Sequence, residues 1–80
     1  MRLPRDLSGS ELAATLERLG YVVTPQTGSH MRLTTQRDGQ HHVTVPAHDR
    51  LRLGTLSGIL ADVASHLRLS REELLNKLFQ

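Results

Sequence analysis

The chain has 80 residues and no cysteine, and its ten Lys and Arg residues against eight Asp and Glu give a net charge of +2. This length allows one small domain and no second one, and the lack of cysteine excludes disulfides and thiolate metal sites, which favours a reducing, cytoplasmic setting. No window approaches the roughly 18 consecutive apolar residues of a membrane-spanning helix, so we expect a soluble protein without a membrane partner.

The first predicted element is a helix that begins in a capping box. Ser8 and Glu11 have the capping-box spacing, leucines follow at helical intervals, and Gly20 is suited to the left-handed residue that ends a helix. Residues 21–24 are aromatic and β-branched, which predicts a short strand. We expect this strand to end at Pro25 and to lie at a sheet edge, because proline has no N–H to donate.

Residues 30–45 predict a β-hairpin, because polar and apolar residues alternate on either side of an Asp-Gly turn. A two-residue loop would mix polar and apolar side chains on both faces. A loop of odd length, such as residues 37–39 with Gly39 in the left-handed conformation, separates them. The apolar pairs are then Leu33 with Val43 and Met31 with Val45, and the opposite, basic face holds His30, Arg32, Thr34, His42 and Thr44.

Two helices are predicted after the hairpin. Gly54 and Thr55 are expected to open the first of them, with Thr55 as its N-cap, and Ser70 and Glu73 repeat the capping-box pattern at the start of a short terminal helix. The element order is then α-β-β-β-α plus one helix. Since short connections join neighbouring strands, we expect an α+β fold with a three-stranded antiparallel sheet and helices on one face.

The order of several short motifs resembles the HicA toxin family. The resemblance covers about residues 8–67, which predicts one HicA-like domain over residues 1–80 with residues 70–79 as a C-terminal helical extension. The motifs on which the resemblance rests are, in chain order, the capped helix, a strand, Gly28-Ser29-His30, a strand ending in Val43-Thr44-Val45-Pro46 with His48 shortly after, and Gly54-Thr55-Leu56 at the start of a helix.

The resemblance implies a fold like that of a double-stranded-RNA-binding domain and a metal-independent endoribonuclease activity on mRNA, without a cofactor. It also implies inhibition by a HicB-like antitoxin. The histidine of the Gly-Ser-His motif is catalytic in this family, which implies that role for His30. Many members have a second histidine or a polar residue after the motif, where this chain has Met31. Because Met31 is predicted to face the core, the difference concerns packing rather than chemistry.

His30 also has suitable chemistry independently of the family. An imidazole ionises near neutral pH and can remove the proton of an RNA 2′-hydroxyl, although a surface histidine that only caps the turn is the alternative. The sequence Gly-Ser-His-Met can also remain when an affinity tag is cleaved from a protein. Such a remnant would lie at the start of the chain, whereas 27 residues precede Gly28. The other roles have candidates too: Gly28 and Ser29 to shape the turn, Arg32 to stabilise the phosphorane, and His42 or His48 as general acid.

The middle third of the chain is basic and suits a polyanionic partner. Between residues 24 and 52 there are four arginines and four of the five histidines, against two aspartates. Arg50 and Arg52, with Gly54 and Thr55 at a helix start, predict a phosphate cradle, and a solvated loop is the alternative. A metal site at the histidines is disfavoured, because adjacent strand residues point to opposite faces.

Two other functions stay open from the sequence. One is an RNA-binding module of the same fold without catalysis, which would hold duplex RNA by its shape. The other is an interaction domain whose apolar terminal helix docks a partner while the basic face is incidental.

Overall fold

The order of helices and strands is the one that the sequence predicts. The computed structural model describes residues 3–79, without the side chains of residues 25–27. Its strands form one antiparallel sheet in which neighbours along the chain are also neighbours in the sheet. Within residues 3–79, no helix has the length and apolar character needed to cross a membrane. The elements are α1 (Gly9–Glu17), β1 (Val22–Thr27), β2 (His30–Thr35), β3 (His41–Pro46), α2 (Leu53–Leu67) and α3 (Arg71–Phe79).

The β2–β3 hairpin has the register that the alternation of side chains predicts. Leu33 pairs with Val43 and Met31 with Val45, and all four side chains are buried. The loop spans residues 36–40, so its length is odd, as predicted, but it has five residues rather than three. The side chains that face the core determine whether the loop has an odd or an even number of residues, but they do not determine how many residues it has.

β1 is longer than predicted, since it continues through Pro25 to Thr27. Its register with β2 shifts between Thr24, which pairs with Arg32, and Thr27, which pairs with His30. β1 lies at the edge of the sheet, where a proline is tolerated because its missing N–H does not interrupt the hydrogen bonds of a central strand. A local irregularity accommodates the extra residue of β1. The predicted end at Pro25 was therefore wrong, and the predicted edge position is confirmed.

Both predicted capping boxes are formed. The Ser8 Oγ accepts from the Glu11 backbone N–H at 3.0 Å, and the Glu11 carboxylate accepts from the Ser8 N–H at 2.9 Å. The corresponding distances at Ser70 and Glu73 are 3.0 and 2.8 Å. After α1, Gly20 has a φ of 92°, which is the left-handed conformation expected at that position.

α2 begins earlier than predicted. Its N-cap is Arg52, which has an extended backbone and no side-chain capping bond, so the assignment of Thr55 as N-cap was wrong. The preceding Leu51 is buried, and its N–H donates to the Leu7 carbonyl at 2.8 Å. This contact with the N-terminal segment holds the chain directly before the helix, and residue preferences at positions 54 and 55 could not reveal it.

The helices cover the apolar face of the sheet, and α3 packs against α1 and α2. Leu74, Leu75 and Leu78 of α3 are at most 1% exposed. The Arg18 Nη1 donates to the Leu78 carbonyl at 3.1 Å, which attaches the end of α3 to α1. Because the apolar side of α3 is already buried in the chain's own core, the interpretation in which it docks a partner was wrong.

Candidate active site

A two-residue turn between β1 and β2 positions His30. Gly28 and Ser29 separate the paired residues Thr27 and His30. Gly28 has a φ of 61°, whereas Ser29 does not have a positive φ. A positive φ at the first turn position alone is typical of a type II′ turn, which matches the twist of antiparallel strands. The Gly-Ser pair is thus an integral turn of the sheet, and it determines where β2 and its alternation begin.

His30 is exposed on the face of the sheet that the helices leave uncovered, which we call the open face. Its Nδ1 lies 3.5 Å from the Ser29 Oγ, a long contact that orients the ring only weakly. When Nδ1 carries the hydrogen and faces this hydroxyl, Nε2 keeps its lone pair and can accept a proton. The imidazole is therefore accessible to a substrate, and the tautomer with its hydrogen on Nδ1 can act as a base.

Arg32 and His42 share the open face with His30 but lie at different distances from it. Arg32 is two residues further along β2, a rise of roughly 7 Å, and within the described residues its guanidinium makes no ion pair. His42 pairs with Thr34, and its Nδ1 lies 2.7 Å from the Thr34 Oγ1. Because Thr34 is four residues from His30, His42 is displaced by roughly 13 Å along the sheet. A phosphate at His30 is within reach of Arg32 and beyond the reach of His42.

His48 lies beside the turn that carries His30. The Ala47 N–H donates to the Ser29 carbonyl at 2.7 Å, so the residue before His48 is held against this turn. The His48 carbonyl accepts from the Gly9 N–H at 2.9 Å, and the His48 side chain is exposed. The tertiary structure thus brings His48, and not His42, to the end of the sheet that carries His30.

Arg50 and Arg52 lie further along the same loop and border an open groove. Gly54 and Thr55 are exposed in the first turn of α2, next to Arg52. The groove is also lined by Arg5, Asp6, Leu51 and Leu53. Arg5 and Asp6 were missed in the sequence because they lie far from residue 50 in the chain and belong to no motif.

The two remaining histidines belong to a cluster on the helix-covered face. The His41 Nδ1 lies 2.7 Å from the Tyr21 hydroxyl, its Nε2 lies 3.2 Å from Asp62, and its ring stacks on His66 with 4.3 Å between centroids. His41 and His42 therefore point to opposite faces, as strand geometry requires. In the part of the chain that the structure describes, no three His, Asp or Glu side chains are grouped as metal ligands.

The sequence matches the model of a protein family. The model of the family described as the HicA toxin of bacterial toxin-antitoxin systems matches residues 9–64, which is more than half of the chain. The chain belongs to the HicA toxin family. HicA proteins are toxins of toxin–antitoxin systems, so the assignment implies an antitoxin as partner. No curated protein matches the chain.

The matched range contains most of the candidate site but not all of the fold. His30, Arg32 and His48 lie within it, whereas Arg5, Asp6 and the whole of α3 lie outside. The open face, the Gly-Ser turn and the loop after β3 are therefore parts of the HicA core of this chain. The groove combines residues of that core with residues of the segment that precedes it.

Proposed function

We propose that this HicA chain is an endoribonuclease that cleaves mRNA, with His30 as general base. The observation that carries the proposal is the position of His30, which is exposed at the start of β2 on the open face, with Arg32 two residues further along the same strand. None of the eight acidic residues lies in a strand, so no carboxylate of the sheet repels an RNA phosphate there.

The proposed reaction is an internal transesterification of RNA. The Nε2 of His30 takes the proton of a 2′-hydroxyl, the 2′-oxygen forms a bond to the adjacent phosphorus, and the bond from phosphorus to the 5′-oxygen breaks. A general acid gives a proton to the departing 5′-oxygen. The products are a 2′,3′-cyclic phosphate and a 5′-hydroxyl, and proton exchange with water returns the acid and the base to their starting states.

Arg32 and His48 are the proposed partners of His30. Arg32 lies two residues after His30 on the same face of β2, where its guanidinium can stabilise the negative charge that the phosphorane gains. His48 is preferred over His42 as general acid, because its backbone is held beside the His30 turn while His42 is displaced along the sheet. Gly28 and Ser29 contribute the turn, whose backbone an RNA strand can approach closely.

A HicB-like antitoxin is the proposed inhibitor. To block the proposed reaction it has to cover His30 or the open face around it. This face is polar and basic, so we expect the antitoxin to present acidic groups to it, and the complex to weaken as the salt concentration rises.

The proposal is tested by incubating the purified protein with RNA in the presence of EDTA. We expect cleavage to continue and the products to carry cyclic phosphate ends. His30→Ala is expected to lower the cleavage rate by about 10²- to 10⁴-fold, the usual contribution of a general base. His42→Ala, on the same face, is the matched control and should retain most of the rate.

Three results would count against the proposal. Loss of cleavage in EDTA would contradict a metal-free reaction. RNA that is bound but left intact would favour the non-catalytic RNA-binding module of this fold. Growth arrest by expressed His30→Ala protein would contradict the catalytic role of His30.

A further inference from the structure

The groove that Arg50 and Arg52 border has an excess of positive charge. It has a volume of about 560 Å³ and lies between the N-terminal segment, the loop after β3 and the start of α2. Its charged residues are three arginines and one aspartate, Asp6, which leaves a formal charge of +2 (three minus one). Within residues 3–79, Arg5 and Arg52 form no ion pair, so two of the three guanidinium groups are available to an anion.

Asp6 already places an anionic group in this groove. Its Oδ1 lies 2.7 Å from the Arg50 Nε, and both side chains are largely exposed, at 69% and 74%. Asp6 has a φ of 59°, a left-handed conformation that Asp and Asn tolerate better than most other residues. An ion pair this exposed contributes little stability, so another anion can displace the carboxylate from Arg50 at small cost.

A short and well-anchored stretch of chain connects the groove to His30. Ala47 is hydrogen-bonded to the Ser29 carbonyl in the His30 turn, and Leu51 is hydrogen-bonded to the Leu7 carbonyl next to Asp6. Arg52 comes five positions after Ala47 in the chain, so their Cα atoms are at most roughly 18 Å apart. An RNA strand that lies over His30 can therefore reach the groove within a few nucleotides.

We infer that this groove binds a second phosphate of the RNA strand, and that Asp6 occupies the place of that phosphate when RNA is absent. Guanidinium groups bind phosphate through paired hydrogen bonds, and three of them line the groove. α2 begins at the same place without a capping side chain or an acidic residue in its first turn, which leaves its first amides for the anion. The inference rests on the proposed RNA substrate but not on catalysis by His30.

The test measures RNA binding in the His30→Ala protein, so that binding is separated from cleavage. A labelled single-stranded RNA is titrated by fluorescence anisotropy at several salt concentrations. Arg5→Gln and Arg52→Gln are each expected to weaken binding by about five- to tenfold and to reduce the slope of log K against log salt by about 0.7. Asp6→Asn preserves the backbone conformation and is expected to tighten binding by about two- to fivefold.

The matched control is Arg71→Gln, because Arg71 is exposed at the start of α3 and does not line the groove. It should leave the affinity within about twofold of the parent. All replaced side chains are exposed, so unchanged circular dichroism spectra and melting temperatures are expected and are checked for each variant.

Unchanged affinity in Arg5→Gln and Arg52→Gln, or weaker binding in Asp6→Asn, would overturn the inference. Polyglutamate is the second probe: if the groove variants weaken its binding as much as that of RNA, the site recognises carboxylates and suits an acidic protein instead. If wild-type protein binds RNA through the groove but leaves it intact, the proposed ribonuclease function fails while the phosphate site stands.

Discussion

The Tyr21 hydroxyl oxygen lies 2.7 Å from the Nδ1 of His41, and the His41 Nε2 lies 3.2 Å from the Asp62 carboxylate. Because a carboxylate only accepts, the tautomer with its hydrogen on Nε2 donates to Asp62 and lets Nδ1 accept from the Tyr21 hydroxyl. Burial of Tyr21 and, second, the negative charge of Asp62 raise the pKa of Tyr21 from 10.0 to about 12. The cluster thus holds a neutral tyrosine in the core.

This pKa predicts a loss of stability at alkaline pH. The unfolded chain releases the Tyr21 proton near pH 10.0 and the folded chain near 12, so the free energy of unfolding is fully retained below pH 10 and falls as the pH rises towards 12. Tyr21 is the only tyrosine and the chain has no tryptophan, so tyrosinate absorbance reports on this one group. Denaturant unfolding across this pH range measures the stability.

Asp62→Asn is the control for the tyrosine prediction. It should lower the pKa of Tyr21 only slightly, because burial is the larger cause of the shift. Tyrosinate that forms near pH 10 while the protein is still folded would contradict the prediction.

The two capping boxes predict a loss of stability in acid. Hydrogen bonds from Ser8 lower the pKa of Glu11 below 4.5, and those from Ser70 do the same for Glu73. As the pH falls, the unfolded carboxylates take up protons first, so this stability is present above pH 4.5 and is lost as the pH falls through the lowered values. Carboxyl titration by NMR measures the shifts directly.

Ser8→Ala is the mutation that tests the first box. It is expected to lower the free energy of unfolding by about 1 kcal/mol and to return the pKa of Glu11 towards 4.5. Ser10→Ala, an exposed position in the same turn, should change neither quantity appreciably. If both variants had the same effect, the capping assignment would have to be abandoned.

Two glycines are expected to respond to alanine in opposite directions. A Cβ at Gly9 would overlap with the backbone carbonyl of Pro46, so Gly9→Ala should destabilise the protein by roughly 1–3 kcal/mol. Gly58 lies in α2 with open space where a Cβ would be, so Gly58→Ala should stabilise it by about 0.5–1 kcal/mol. Equilibrium unfolding in denaturant distinguishes the two, and similar values for both would contradict the close approach of α1 to β3.

The assignment of His48 as general acid predicts a dependence on the leaving group. With RNA, His48→Ala should slow cleavage by about 10²- to 10⁴-fold, whereas His42→Ala should have little effect. With a nucleotide analogue whose leaving group is nitrophenolate, no proton has to be supplied, so His48→Ala should regain most of the rate and His30→Ala should not. A rate for His48→Ala that is equally low on both substrates would indicate a role other than that of acid.

Most of the secondary structure could be predicted, because its signals are local. The capping boxes at Ser8 and Ser70 require only residues three positions apart. The hairpin register follows from the alternation of Met31 and Leu33 with polar neighbours, since a shift by one residue would turn the apolar side chains to solvent. The start of α2 was predicted wrongly because it depends on the distant contact of Leu51 with Leu7. The length of β1 was predicted wrongly because an irregularity lets the strand continue past Pro25 and pair with β2 up to the Gly-Ser turn.

The features of the candidate site likewise fall into those that the sequence could predict and those that it could not. The sequence by itself determined the type and order of the elements and the placement of His30 on a polar, basic face, because capping and alternation depend on neighbours within a few residues. The family resemblance followed from the order of short motifs along the chain. The predicted hairpin register already displaces His42 from His30. Only the tertiary structure decided that α3 buries its leucines internally and that Arg5 and Asp6 join Arg50. Each of these depends on contacts between segments far apart in the chain, and packing of the whole core selects them.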